Sequence, residues 1–276
     1  MRNLIIRTTS GLLFLAIMTG YILWNAYAFG VLSCIIIIVG MIEFFNITIS
    51  KGHTTQKILS VFTGLSGLLI VHIYNFFDVP HILLSCIAII VILAACSFIL
   101  IPIIELYKKS EKPFQNISLL ILPIVYVALP FVLMNFFYHY SGRFYVLAFF
   151  MLIWANDVGA YCFGMLFGQH GKHKFFPRIS PKKTWEGFIG GIITAIIASV
   201  IIAKTMLDIE ICHLIIIAII TSVLGTFGDL VESMLKRSAG VKDSGKIMPG
   251  HGGILDRFDS AIFAFPMVFI YVIIYI

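Results

Sequence analysis

The chain has 276 residues, 60% of them hydrophobic and only 12% charged, with a mean hydropathy of +1.04 and a formal net charge of +6. A soluble domain is about half apolar and about a quarter charged, so this composition leaves too little polar surface to cover a water-exposed globule. The positive charge does not point to nucleic acid either, because the basic residues sit in short loops between apolar runs, the pattern of a membrane protein.

A bilayer core roughly 30 Å thick takes about 20 apolar residues per helix. In chain order, apolar runs predict helices near 10–25, 27–46, 58–77, 82–105, 117–137, 144–168, 185–204, 212–232 and 259–276. The fold class is therefore all-α, a polytopic transmembrane bundle of about nine spans. Only a tight turn around Trp24 to Tyr27 divides the first two, so eight is the alternative count. Arg2, Arg7, the first apolar run and Ala26-Tyr27-Ala28 have the three parts of a cleavable signal. A second apolar run follows at once, as in a membrane hairpin, which favours retention. Residues 1–140 then form an N-terminal region of about five spans. Residues 141–276 form a C-terminal catalytic region with two long loops, 169–184 and 233–258. The cysteines, Cys34, Cys86, Cys96, Cys162 and Cys212, lie in or beside apolar runs without metal-binding spacing and read as packing residues.

Nine spans from a cytoplasmic N-terminus place one set of loops inside. These carry Arg2, Arg7, Lys51, Lys57, Lys108, Lys109, Lys112, Lys172, Lys174, Arg178, Lys182, Lys183, Lys236, Arg237, Lys242, Lys246 and Arg257. Of the 19 Lys and Arg residues only Arg143 and Lys204 fall outside, as the positive-inside rule requires. Asn46 and Asn116, each in an Asn-x-Ser/Thr triplet, map to the inner side, where the triplet carries no meaning. Both long loops are too short to fold alone, so any chemistry belongs at the cytoplasmic face of the membrane.

An ionisable group inside a span costs at least about 2.5–3.5 kcal/mol on insertion scales, which makes it a functional candidate. Asn156 and Asp157 lie well inside the sixth run. Asp229 and Glu232 lie one turn apart on one face of the eighth. Glu43, Glu105 and Glu232 also fit the ordinary role of helix-end carboxylates reaching the interface. The stretch 233–259 holds Asp243, Asp256 and Asp259 among cations, and Gly250, Gly252 and Gly253 bracket His251. Asp256 and Asp259, three apart, can face one point together with Asp229, an oxygen-donor set of the kind Mg²⁺ takes. Lys236, Arg237, Lys242 and Arg257 are suited to a polyphosphate. Residues 240–247 imitate a phosphate-binding P-loop, but Ile247 replaces the required Ser or Thr and no strand precedes it. In 175–188, Pro177 and Pro181 fix a turn, Thr184 is a helix start, and Ser180, Lys182, Lys183 and Thr184 gather groups that bind phosphate at a helix N-terminus.

Residues 233–259 resemble the signature of the phosphatidate cytidylyltransferases, also called CDP-diacylglycerol synthases. The matching positions are Ser233, Lys236-Arg237, Lys242-Asp243, His251-Gly252-Gly253, Asp256-Arg257 and Asp259. Residues 180–187 (SPKKTWEG) and 156–161 (NDVGAY) are similar to further family features. The resemblance implies transfer of the cytidylyl group of CTP to phosphatidate, with release of pyrophosphate, in phospholipid biosynthesis at a bacterial-type inner membrane. It implies Mg²⁺, with a second ion left open. Asp229, Asp256 and Asp259 are assigned to the metal, and Lys236, Arg237 and His251 join them as the catalytic set. Asn156, Asp157, Tyr161, Ser180, Lys182, Lys183, Thr184, Ser233, Lys242, Asp243 and Arg257 are assigned to the substrates. Asp157 and Asp243 are alternatives for a second ion. Homodimerisation is open. The competing enzyme is a CTP-dependent lipid-alcohol kinase, which would release CDP. A transporter would space its polar residues through several spans, whereas here they crowd toward one face.

Overall fold

The computed structural model of the chain describes residues 2–49, 52–76, 80–168, 173–248, 250 and 252–276. The architecture is helical: α1 (Arg2–Trp24), α2 (Ala26–Thr48), α3 (Thr54–Phe76), α4 (Pro80–Tyr107), α5 (Pro113–Pro123), α6 (Leu129–Ser141), α7 (Arg143–Phe167), α8 (Trp185–Thr205), α9 (Ile211–Ser238) and α10 (Leu255–Tyr275). One antiparallel hairpin, β1 (Lys174–Phe176) with β2 (Ser180–Thr184), interrupts the series. Among the described residues eight helical stretches are long and apolar enough to cross a bilayer, with α5 and α6 counting as one, Pro113–Ser141. The first expected run, 10–25, is a helix too, but among the described residues its apolar part, Thr8–Trp24, is shorter. The chain is an integral membrane protein.

Local chemistry sets the helix ends. Asn25 is the single extended residue between α1 and α2, and its Oδ1 accepts the Ala28 N–H at 2.8 Å, a side-chain N-cap. Between α5 and α6 the helix widens to a π turn over Ile124–Ala128, where the Leu129 N–H donates to the Ile124 carbonyl. Pro130 has no N–H to continue the regular ladder, so the bonding slips by one residue.

The loops differ from expectation in two places. Residues 174–184 form the hairpin instead of an irregular loop. Pro177 follows Phe176 in a turn closed by the Ile179 N–H on the Phe176 carbonyl at 3.2 Å. The second loop is shorter than 233–258: α9 runs on to Ser238, and α10 begins at Leu255. Helix-compatible residues continue through Met234, Leu235, Lys236 and Arg237, and the two cations suit the negative end of the helix dipole. Ser233, Lys236, Arg237, Asp256 and Asp259 therefore project from helices.

The chain divides into two compact units. The first comprises residues to Tyr140 together with Asp243–Leu255; the second comprises Ser141–Lys242 with Asp256–Ile276. In the first unit Phe29, Ile37, Met41, Phe44, Phe131 and Met134 are fully buried. Polar bonds stitch its helices: Ser60 Oγ donates to the Leu120 carbonyl at 2.6 Å, and Tyr138 donates to the Ile22 carbonyl at 2.7 Å. In the second unit, α7 and α8 make the most extensive helix contact. Small residues allow it. A Cβ on Gly190 would lie 2.3 Å from the Phe163 side chain, and one on Gly187 2.8 Å from the Ala160 carbonyl. Phe175 of the hairpin packs against Trp185 and Phe188, with ring centroids 4.5 and 4.8 Å away.

Candidate active site

The second unit contains a cavity of about 550 Å³, and each wall has a distinct chemistry. Helix α7 contributes Asn156, Asp157, Tyr161 and Gly164; the hairpin contributes Lys174, Phe175, Lys182, Lys183 and Thr184. Gly187 and Phe188 come from α8, Thr226 and Asp229 from α9, and Ser260 from α10. Thr184 caps α8, its Oγ1 accepting the Gly187 N–H at 3.2 Å, so the N-terminus of that helix opens beside the two lysines.

Carboxylates are concentrated at the α9–α10 side. A Cβ on Gly228 would lie 2.5 Å from the Asp259 carbonyl, so α9 and α10 approach closely there. That contact brings one oxygen each of Asp229, Glu232 and Asp259 within 4.8 Å of one another. Lys183 reaches across from the hairpin to Asp229 Oδ2 at 2.8 Å and to the Thr226 carbonyl at 3.1 Å. Ser233 Oγ donates to Asp229 Oδ1 at 3.2 Å. Asp259 Oδ1 accepts the Ser260 N–H at 2.7 Å. Lys236, itself buried, is shared between Glu232 and Asp256, the latter at 2.5 Å. Glu232 is 1% exposed, and its Oε1 makes no hydrogen bond among the described residues. Such a buried acceptor calls for a partner. The donor set, all carboxylate oxygens, fits a hard divalent cation.

Cavity, crowded carboxylates and facing lysines all lie in a chain that matches the cytidylyltransferase family over residues 5–275. The chain belongs to the cytidylyltransferase family. Its similarity to individual family members covers most of its length. A protein named phosphatidate cytidylyltransferase from Staphylococcus saprophyticus is 38% identical over 255 residues, covering 84% of this chain and 94% of the relative. Proteins of the same name from Staphylococcus epidermidis and Staphylococcus aureus are each 36% identical over 253 residues, with the same coverage of 84% and 94%.

For this cytidylyltransferase-family chain, the structure brings Asn156, Asp157, Tyr161, Lys182, Lys183, Thr184 and Asp229 into one cavity. Ser233 and Asp259 join them through Asp229. Ser180 lies at the start of β2. Other expected residues sit elsewhere. The carboxylate grouped with Asp229 and Asp259 is Glu232, while Asp256 is bound to Lys236. Arg237 donates to the Val241 carbonyl at 3.2 Å, closing the end of α9. Lys242, Asp243 and Arg257 are exposed, and His251 lies outside the described residues.

Glu232 was expected on one helical face with Asp229, with the role of a helix-end carboxylate reaching the interface left open. It is buried instead, as are Glu43 and Glu105, at 4% and 1% exposure. The available signal was spacing: Glu232 lies three residues after Asp229 and four before Lys236, which puts all three on one helical face. Thr226 and Ser260 carried no signal, because isolated hydroxyl residues in apolar runs are common.

Proposed function

We propose that the chain transfers the cytidylyl group of CTP to phosphatidate, forming CDP-diacylglycerol and releasing pyrophosphate. The observation that carries this reading is the cavity in which Lys182 and Lys183 line one wall and Asp157 and Asp229 another, with Asp229 also belonging to the crowded set with Glu232 and Asp259. The names of the relatives point to the same reaction. In it a phosphate oxygen of phosphatidate bonds to the α-phosphorus of CTP. The bond from that phosphorus to the oxygen bridging to the β-phosphate breaks, and pyrophosphate leaves with the electron pair. The phosphate is already nucleophilic near neutral pH, so positioning and charge neutralisation carry the step.

Asp229, Glu232 and Asp259 would hold Mg²⁺, which when bound offsets phosphate charge and orients the reacting oxygens. Lys182 and Lys183 neutralise the triphosphate, and the N-terminus of α8 beside Thr184 favours the same anion. In this reading Lys183 exchanges Asp229 for phosphate as substrate enters. Asn156 and Tyr161 line the wall on the α7 side and are placed to contact the nucleotide. The distribution of Lys and Arg supports a cytoplasmic site in a bacterial inner membrane.

The detergent-purified chain, given CTP labelled at the α-phosphate, phosphatidate and Mg²⁺, should move label into lipid and release pyrophosphate in equal amounts. With diacylglycerol supplied in place of phosphatidate, release of CDP together with a phosphorylated diacylglycerol would replace this reading with the kinase.

A further inference from the structure

Glu43 of α2 lies about 200 residues from the signature stretch and outside it, yet its carboxylate binds both ends of the segment 244–255. Oε2 accepts Ser244 Oγ at 3.1 Å and the Leu255 N–H at 2.9 Å, while Oε1 accepts the Ile254 N–H at 3.0 Å. Leu255 is the first residue of α10, so the carboxylate sits at that helix's N-terminus, where backbone N–H groups favour an anion. Among the described residues it has no cationic partner. It is 4% exposed and is satisfied by the segment alone.

The glycines of the segment fit this arrangement. Gly250 and Gly252 have positive φ, 77° and 84°, where backbone conformation demands glycine. Gly245 and Gly253 are needed for space. A Cβ on Gly245 would lie 2.2 Å from Glu43 Oε1, and one on Gly253 2.4 Å from Oε2. The two glycines thus form the cradle of one carboxylate. Between them the segment doubles back, the Met248 N–H donating to the Gly252 carbonyl at 3.0 Å.

We infer that Glu43 is a positioning residue for the reaction: it pins the base of the 244–255 segment and the first residue of α10. The segment carries Gly252 and Gly253 of the signature, and one peptide bond links Leu255 to Asp256, the partner of Lys236. This inference rests on the reading of the chain as a cytidylyl transferase. A carboxylate is required because both oxygens accept. The amide nitrogen of Gln would face a backbone N–H and leave it unpaired.

The test uses the full chain in detergent, with Glu43→Gln, Glu43→Asp and Gly253→Ala, the last disturbing the cradle without changing Glu43. Two quantities are measured on folded protein: kcat for label transfer, and hydrogen exchange across 244–255. Glu43→Gln and Gly253→Ala should each lower kcat roughly 10- to 100-fold, the equivalent of leaving a buried donor unpaired. Exchange should accelerate in that segment and not in α3. Glu43→Asp, which keeps the carboxylate one methylene shorter, should fall between wild type and Glu43→Gln in both quantities. A Glu43→Gln protein with kcat within about twofold of wild type, with altered melting only, or with unchanged exchange at 244–255 overturns the proposal. If wild type itself makes no CDP-lipid, the reaction assignment fails, and the exchange measurement alone decides whether Glu43 pins the segment.

Discussion

The two units treat buried carboxylates in opposite ways. In the first unit, Glu105 accepts from Gln56 at 2.9 Å and Asn116 at 2.7 Å, with His53 at 3.4 Å, and Lys108 closes the network by donating to Gln56 at 2.7 Å. Each of its oxygens is matched by a neutral donor or a histidine, and no other carboxylate shares the site among the described residues. In the second unit, Asp229, Glu232 and Asp259 crowd together, and Glu232 Oε1 has no hydrogen bond among the described residues. A satisfied carboxylate holds helices together. Crowded, under-satisfied ones form an unfavourable arrangement that a bound cation would relieve. Hydrogen-bond satisfaction separates these acids more clearly than burial does, since Glu105 and Glu232 are both 1% exposed.

Three substitutions can break or sharpen this contrast. The largest effect is expected at the crowded site. Asp259→Asn should lower kcat by about 10²–10³-fold while leaving the protein folded, and in the wild type chelation should abolish turnover until Mg²⁺ is restored. Near-normal turnover in the variant, measured with α-labelled CTP, would remove Asp259 from the cation site. An intermediate effect of the other kind belongs to Glu105→Gln. It should destabilise the protein by about 1–3 kcal/mol through mismatched donors, with kcat within about twofold of wild type. Loss of activity without loss of stability in a detergent melt would erase the distinction between the units. The smallest effect is Asn25→Ala, which removes the cap of α2 and should cost about 1 kcal/mol with no change in turnover. A melt indistinguishable from wild type would show that neighbouring helices, not the cap, set the start of α2.

The fold was legible because the bilayer imposes one length on every span, and runs of apolar residues report that length directly. Orientation of the site residues was legible in part. Asp157, Lys182, Lys183 and Thr184 carried clear signals, either polarity inside a span or hydroxyls and cations at a helix start, and they share a cavity. What stayed hidden was pairing. Spacing put Asp229 and Glu232 on one helical face, and Asp259 was expected to converge with Asp229, but nothing in α9 says that Lys236 binds Asp256. The glycine at 228 permits that convergence, yet a glycine in a membrane helix has many uses. Glu43 was hidden for the same reason, since its donors lie more than 200 residues away. The helical continuation of α9 past Glu232 was missed because charge was read as the end of a span, when the helix continues into the polar region.

The aromatic packing beneath the hairpin bears on how an anion would be received. Phe175 of β1 is clasped by Trp185 and Phe188 at the head of α8, and β1 pairs with β2, so the hairpin bearing Lys182 and Lys183 is moored to that helix. In the proposed reaction those ammonium groups would meet a triphosphate from positions set by the hairpin, with little of the entropy loss that a swinging flap would incur on closing. Recognition at this wall would then resemble a docked template more than a clamp, with selectivity left to the shape between α7 and the hairpin.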